Sequence, residues 1–338
     1  MLSRLHKNGW RLGLLVVLSC SPLLAAPALS PERLLAEGRV DDVIATLQTR
    51  INTAPDDAES YNLLCRAHML LEDWDAGIRA CQKAVALKPA NSRYHLWLGR
   101  AYGEKADHSN FLAAVGLAKK LRTEFETAVQ LDPNDVEARS DLADFYLQAP
   151  GIIGGGKDKA ETQAQQMAVL DPPQAHLVKA RIAEKKGDPV TAENEYRAAI
   201  QVSGGKAGTW LGLAEFYRRS SRLDQMQDAI QHATSSQENQ FVLVRAAQIL
   251  VRSKREIPLA VQLVRRYLSS GTVEDAPAFK AHYLLGTLLE KQGNTQAAAE
   301  EYRAALSLAA GFAPARDALR RVNDHAVQTD SPAGSGTE

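Results

Sequence analysis

No cysteine pair in this 338-residue chain has C-x-x-C spacing, so its three cysteines offer no dithiol redox motif. No histidine pair reads H-x-x-x-H or H-E-x-x-H, which leaves no zinc-binding pattern. His95, His176 and His282 each fall at the fourth place of a helical run, where a large side chain packs inward. There is no G-x-S-x-G, and no nucleophile–base–acid triad can be drawn. Charge of one sign is missing too: 40 basic side chains balance 40 acidic ones. That argues against general nucleic-acid binding and against attraction to an anionic membrane. Aromatics are only 6%, and a single long apolar run lies within the first 28 residues, so nothing after it could span a bilayer. These absences leave no expectation of catalysis, cofactor, metal or small-molecule substrate.

One motif needs a reason to be set aside. Residues 151–157, GIIGGGK, match G-x-x-x-x-G-K. A phosphate loop needs Ser or Thr next, to reach Mg²⁺, and a strand before it. Here Asp158 follows and a helical run precedes. The stretch reads as a glycine-rich turn between two helices, with Asp158 favoured near the start of the second by its dipole.

The first 28 residues are expected to be a targeting segment. Arg4, His6, Lys7 and Arg11 form a basic start, Leu12 to Leu18 open an apolar run, and Ala26 and Ala28 supply the small residues of a cleavage site. The expectation is a signal peptide over 1–28 and export to the periplasm. Removal of Arg4, Lys7 and Arg11 leaves 37 basic against 40 acidic residues, net −3. The alternative is lipidation of Cys20, since residues 17–20, VLSC, resemble a bacterial lipobox. That would make the chain an outer-membrane lipoprotein, with a lipid anchor as its one link to a membrane.

What the chain does have is a repeating apolar pattern with helical period. Residues 58–91 show it best. Tyr61, Leu64, Cys65 and His68 share one helix face; Trp74, Ile78, Cys81 and Val85 form a second run. Glu72 and Asp73 break the two runs, and Pro89 ends the second. Two helices this short cannot bury their faces on each other alone and need neighbours of the same kind. Cys65 and Cys81 face each other across this hairpin. Packing as two small buried apolar residues is the preferred reading, and a disulfide is the alternative.

The pattern recurs. Leu98-Gly99 with Tyr102, Leu142-Ala143 with Tyr146, Leu213-Ala214 with Tyr217, and Leu285-Gly286 with Tyr302 mark later units, closed by Pro133 and Pro172. These residues resemble the tetratricopeptide repeat family, whose 34-residue unit pairs a Trp/Leu–Gly–Tyr helix with an Ala–Tyr–Ala–Pro helix. The phosphate-loop-like turn and a long second helix are similar to features of uncharacterised exported bacterial proteins of that family. The resemblance covers residues 31–323 and implies an all-α superhelical solenoid of seven or eight hairpins over 29–325. A last helix about Pro314 to Asn323 should cap it, and a Ser/Gly/Thr-rich tail over 326–338 should be disordered. Residues 238–275 match least well. About ten extra residues between Tyr102 and Leu121, and five between Tyr146 and Ala160, are expected as two loops protruding side by side.

The resemblance also implies a function and a site. First helices of such repeats line a concave groove that binds protein segments. The groove places hold Asn62, Arg66, Arg93, Trp97 and Arg100, followed by Glu137, Asp141 and Asp144. Three guanidinium groups with an amide and an indole suit a carboxylate, as in carboxylate-clamp grooves, although the Lys and Asn identities of that clamp are mostly absent. The alternative is a solvated basic face. The partner is then an extended charged peptide or a helix. Two settings follow: an exported scaffold, or a Cys20-anchored component of an outer-membrane secretion or polysaccharide-export assembly.

Overall fold

The computed structural model describes residues 29–235 and 240–330, with side chains to Asp324. The expected targeting segment 1–28, with Cys20, lies outside the described residues. Among the described residues seventeen α-helices follow one another with no strand. They pair as α1 (Pro31–Ala36) with α2 (Val40–Thr53), α3 (Ala58–Leu70) with α4 (Trp74–Leu87), and α5 (Ser92–Asp107) with α6 (Phe111–Leu131). Next come α7 (Val136–Gln148) with α8 (Lys157–Leu170), α9 (Pro172–Lys186) with α10 (Pro189–Val202), and α11 (Ala207–Arg219) with α12 (Leu223–Ser235). Then follow α13 (Phe241–Ser253) with α14 (Ile257–Ser270), α15 (Ala278–Lys291) with α16 (Thr295–Leu308), and the last helix α17 (Ala313–Asp330). Eight hairpins and a closing helix agree with the expected solenoid. Even in the weakest-matching stretch, 238–275, the described residues form a regular pair, α13 with α14. The last helix runs past Asn323 to Asp330, so residues 326–330 are helical; the rest of the expected tail lies outside the described residues. None of the described helices is long and apolar enough to cross a membrane.

Local chemistry sets the helix ends. Asp57, Asp73, Asn91, Asn110, Asp135, Asp171, Asp188 and Asn294 each accept a hydrogen bond from the backbone N–H three residues on, at 3.0–3.3 Å. Each such cap satisfies a backbone donor that the helix itself cannot, and is worth about 0.5–2 kcal/mol. Between the helices, glycine makes room for aromatic rings. A Cβ on Gly99 would lie 2.4 Å from the Phe125 ring, and one on Gly286 would lie 2.6 Å from Tyr302. Alanines at the matching places of successive units, Ala84, Ala128, Ala199, Ala233 and Ala305, are fully buried and let the layers stack.

Two expectations change. Cys65 and Cys81 are joined by a disulfide, Cα atoms 5.2 Å apart, rather than packing as separate thiols. Gly77, one turn before Cys81, presents no side chain to Met69 and to the Cys65 carbonyl, so α3 and α4 approach within bridging range. The first insertion is not a loop. Its residues lengthen α5 to Asp107 and start α6 at Phe111, with Asn110 as cap. The second folds into a 3-10 turn, Gly151–Ile153, and sits beside α6, where Arg122 Nη1 donates to the Ile153 carbonyl at 3.1 Å.

The array closes head to tail. Leu35, Val43 and Leu47 from the first hairpin share one buried cluster with Phe279, Ala309 and Phe312 from the last. Phe312 meets Phe279 edge-on at 5.0 Å. Polar contacts complete the seam. Thr272 Oγ1 donates to the Ala36 carbonyl at 2.8 Å, and Asp41 accepts from the Ala310 N–H at 2.8 Å. Gly38 is the tightest point: its φ is +74°, and a Cβ there would sit 2.8 Å from the Ala278 nitrogen. Gly38→Ala therefore combines left-handed strain of about 1–2 kcal/mol with a backbone clash. It is expected to keep full helicity by circular dichroism while hydrogen exchange quickens in residues 31–53 and 272–280. Unchanged exchange in both segments would show that the seam does not depend on this glycine.

Candidate functional site

Closure brings the first helices and the α14–α15 connection around a cavity of about 770 Å³. Of the expected groove residues, Arg66, Trp97, Arg100, Asp141 and Asp144 line it. Asn62, Arg93 and Glu137 do not. Asn62 is fully buried, and neither atom of its amide finds a hydrogen-bond partner among the described residues. Arg93 is exposed and outside the cavity.

The guanidinium groups in the cavity already hold carboxylates. Arg66 Nε donates to Glu274 Oε1 at 2.7 Å, and its Nη2 donates to the other oxygen of the same group. Arg100 Nε donates to Asp141 at 2.6 Å while its Nη2 pairs with Glu137 at 2.6 Å. Both guanidinium groups stand over Trp97, 5.1 and 5.0 Å from the ring centre, so the indole orders them through cation–π contact. Lys280 Nζ pairs with Glu72 at 3.7 Å. Seven carboxylates line the cavity, from Glu72, Glu104, Asp107, Asp141, Asp144, Glu274 and Asp275; the lysine and arginine groups are three, Arg66, Arg100 and Lys280. The expected basic groove is thus a net-acidic cavity. Burial lifts Asp141 above the usual carboxylate range against the pull of Arg100, and burial lifts Asp144 likewise against Arg181. Sequence reasoning missed Glu274 because it lies 208 residues from its partner, on the far side of the closure seam.

A second cavity, of about 620 Å³, lies between α9, α11 and α13. Its wall toward the first cavity is the pair Asp144–Arg181, 2.9 Å apart, with one member lining each. Arg181, Lys206, Arg219 and Arg245 outnumber Asp171 and Glu215 there. Arg219 is held by Glu184 at 2.8 Å. Among the described residues no carboxylate forms an ion pair with Lys206 or Arg245. Burial and nearby Arg252 push the Arg245 guanidinium below its usual range, only partly offset by Glu215.

The histidines are structural. His95, His176 and His282 each place Nδ1 2.6 Å from a carboxylate of the paired helix: Glu124, Glu195 and Glu301. The signal for these partners was a Glu directly before a second-helix aromatic, in Glu124-Phe125, Glu195-Tyr196 and Glu301-Tyr302. Described residues hold no cluster of three metal-ligating side chains. The glycine-rich turn uses its own donors. Ile153, Gly154, Gly155 and Gly156 N–H groups bond to the carbonyls of Pro150, Gly151, Pro150 and Tyr146, and so are not presented to a phosphate.

The tetratricopeptide repeat family model matches residues 245–314, which span α14, α15 and α16. Over that stretch the chain carries tetratricopeptide repeats, and the described residues fold as an α-solenoid. Among solved structures it is similar to yeast Tom70, with TM-score 0.54 and 13% identity over 91% of this chain. It covers 66% of that protein, just short of two thirds of its length. It is also similar to a thermophilic tetratricopeptide repeat protein of Thermus thermophilus, at TM-score 0.46 and 19% identity, covering 55% of this chain and 96% of the other. A tetratricopeptide repeat protein of Parabacteroides merdae gives 0.40 and 13%, covering 79% and 98%. No curated protein matches the sequence.

His95 gives the solenoid a pH dependence with a definite sign. Its Nδ1 faces Glu124 and its Nε2 faces the Pro89 carbonyl at 2.8 Å, so only the doubly protonated ring satisfies both. The Glu124 hydrogen bond raises its pKa above the ordinary value, with burial opposing. This stabilisation is complete below the ordinary histidine pKa and is lost as pH rises through the higher folded-state value. His95→Gln should therefore destabilise the protein in urea at about pH 5.5, with the gap to wild type shrinking by about pH 8.5. A gap that widens with pH would reverse the assigned role.

Proposed function

We propose that this protein is a non-enzymatic scaffold that holds a partner protein by an extended segment laid along its inner face. Tetratricopeptide folds serve protein–protein interaction. The observation that carries the reading to a place on this chain is the pair of cavities sharing the Asp144–Arg181 wall, both lined by first helices. Their sizes fall in the range of ligand sites, and each has an apolar floor with charged walls. The first is floored by Trp97, Phe125 and Phe145; the second, by Leu177, Leu211 and Phe241.

The setting proposed is the bacterial envelope. The basic and apolar start with its Ala26 and Ala28 pair supports export, and the Cys65–Cys81 disulfide suits an oxidising compartment. A second setting rests on the VLSC sequence at 17–20: lipidation of Cys20 would tether the solenoid in an outer-membrane secretion or polysaccharide-export assembly. Metabolic labelling with a palmitate analogue separates the two, because only the tethered form incorporates label, and Cys20→Ala abolishes it.

A photo-crosslinking amino acid placed at Trp97, compared with one at the exposed Val169, tests the binding face. The expected result is a discrete partner adduct from Trp97 alone. Equal adducts from both positions, or none from Trp97 in the native envelope, would remove the scaffold reading.

A further inference from the structure

Resting on the scaffold reading above, the charge of the two cavities identifies the kind of segment they take. The first cavity carries the larger number of carboxylates, and its cations are already engaged: Arg66 by Glu274, Arg100 by Asp141, Lys280 by Glu72. An incoming anion would find each guanidinium already paired with a carboxylate and would meet a negative field. An incoming cation would find Glu104, Asp107 and Asp275, which line the cavity and have no hydrogen bond or ion pair through their carboxylates among the described residues. The second cavity is the reverse. Its acids are committed, with Asp171 capping α9 and Glu215 held by Arg218 at 3.0 Å. Lys206 and Arg245 are its charges without a carboxylate ion pair among the described residues, Arg245 resting over the Phe241 ring at 5.7 Å. The two cavities adjoin at one ion pair, so a single extended chain can enter both.

We propose that the inner face binds a charge-polarised protein segment, with a block of Lys or Arg in the first cavity and a neighbouring block of Asp or Glu in the second. The preference arises from complementarity of sign, which acts on which partner is accepted and how it is oriented more than on raw affinity. A segment of the same composition with alternating signs would place half of its charges against like charges. Repulsion from Glu104, Asp107 and Asp275 on one side, and from Lys206 and Arg245 on the other, would reject it. A segment of one sign would be accepted by one cavity and refused by the other.

The test uses the full solenoid and three labelled peptides of equal length: four Lys followed by four Glu, the reverse order, and Lys–Glu alternation. All three are neutral, so bulk attraction is the same for each. Anisotropy titration at low and moderate salt is expected to show one block peptide binding at least about tenfold tighter than the alternating one, with the gap narrowing as salt rises. Glu104→Gln/Asp107→Asn/Asp275→Asn should erase that preference, and so should Lys206→Gln/Arg245→Gln. Asp224→Asn/Asp228→Asn, changed at exposed positions of α12, serves as the control and should leave it intact. Equal binding of block and alternating peptides, or a preference that survives both cavity variants, would overturn the proposal. If the Trp97 crosslinker still captures a partner in that case, the scaffold reading stands and only the charge polarity falls. If Trp97 captures nothing, both fall together.

Discussion

The whole arrangement depends on the apolar seam between the first and last hairpins. An open stack of hairpins leaves an uncovered hydrophobic face at each end, and the usual remedy is a polar cap. Here α17 covers part of the C-terminal face, while Leu35, Val43 and Leu47 cover Phe279 and Phe312 from the other end. Each end serves as the other's lid. The contact is close enough to need a residue without a side chain at Gly38, and it brings the α14–α15 connection over the inner face.

Closure changes the chemistry of the groove as well as its shape. Along α3 and α5 the inward side chains read as basic, through Arg66 and Arg100 with Trp97 between them. Once the seam forms, Glu274 arrives from the opposite end and holds Arg66 with both oxygens, while α7 supplies Asp141 for Arg100. Each guanidinium is stacked and fixed, with its Nε and Nη2 turned to carboxylates. Net charge then passes to the carboxylates that remain, Glu104, Asp107 and Asp275. A face that attracts anions in one dimension repels them in three.

How much of this could be read from the residues differs by kind. The hairpins were legible because each is local: turn, cap and closing proline lie within one 34-residue unit, and eight units in phase reinforce one another. The helix starts were legible in principle too, since Asp57, Asp73, Asn91 and Asp188 stand where N-caps must. The groove was legible residue by residue in Arg66, Trp97, Arg100, Asp141 and Asp144, which do converge. Asn62 failed because it is fully buried within the packing of α3 and never reaches the cavity. Arg93 failed because it stands exposed at the very start of α5, short of the cavity that Trp97 and Arg100 reach. Glu274 and the seam were not legible. Their contact depends on the small rotation between neighbouring hairpins, summed across all of them, and no local pattern encodes that sum. The Cys65–Cys81 bond fell between: the facing positions were visible, but the close approach allowed by Gly77 was not.

The seam also bears on how this protein comes apart. In an open solenoid each hairpin touches only its neighbours, so end units can melt while the middle survives, and unfolding spreads like a row of coupled spins. Joining the ends removes the free end from which such melting starts. Loss of α1 and α2 uncovers Phe279 and Phe312, and loss of α15 to α17 uncovers Leu35 and Leu47. A linear polymer of modules becomes a circular one, in which fraying gives way to all-or-none unfolding.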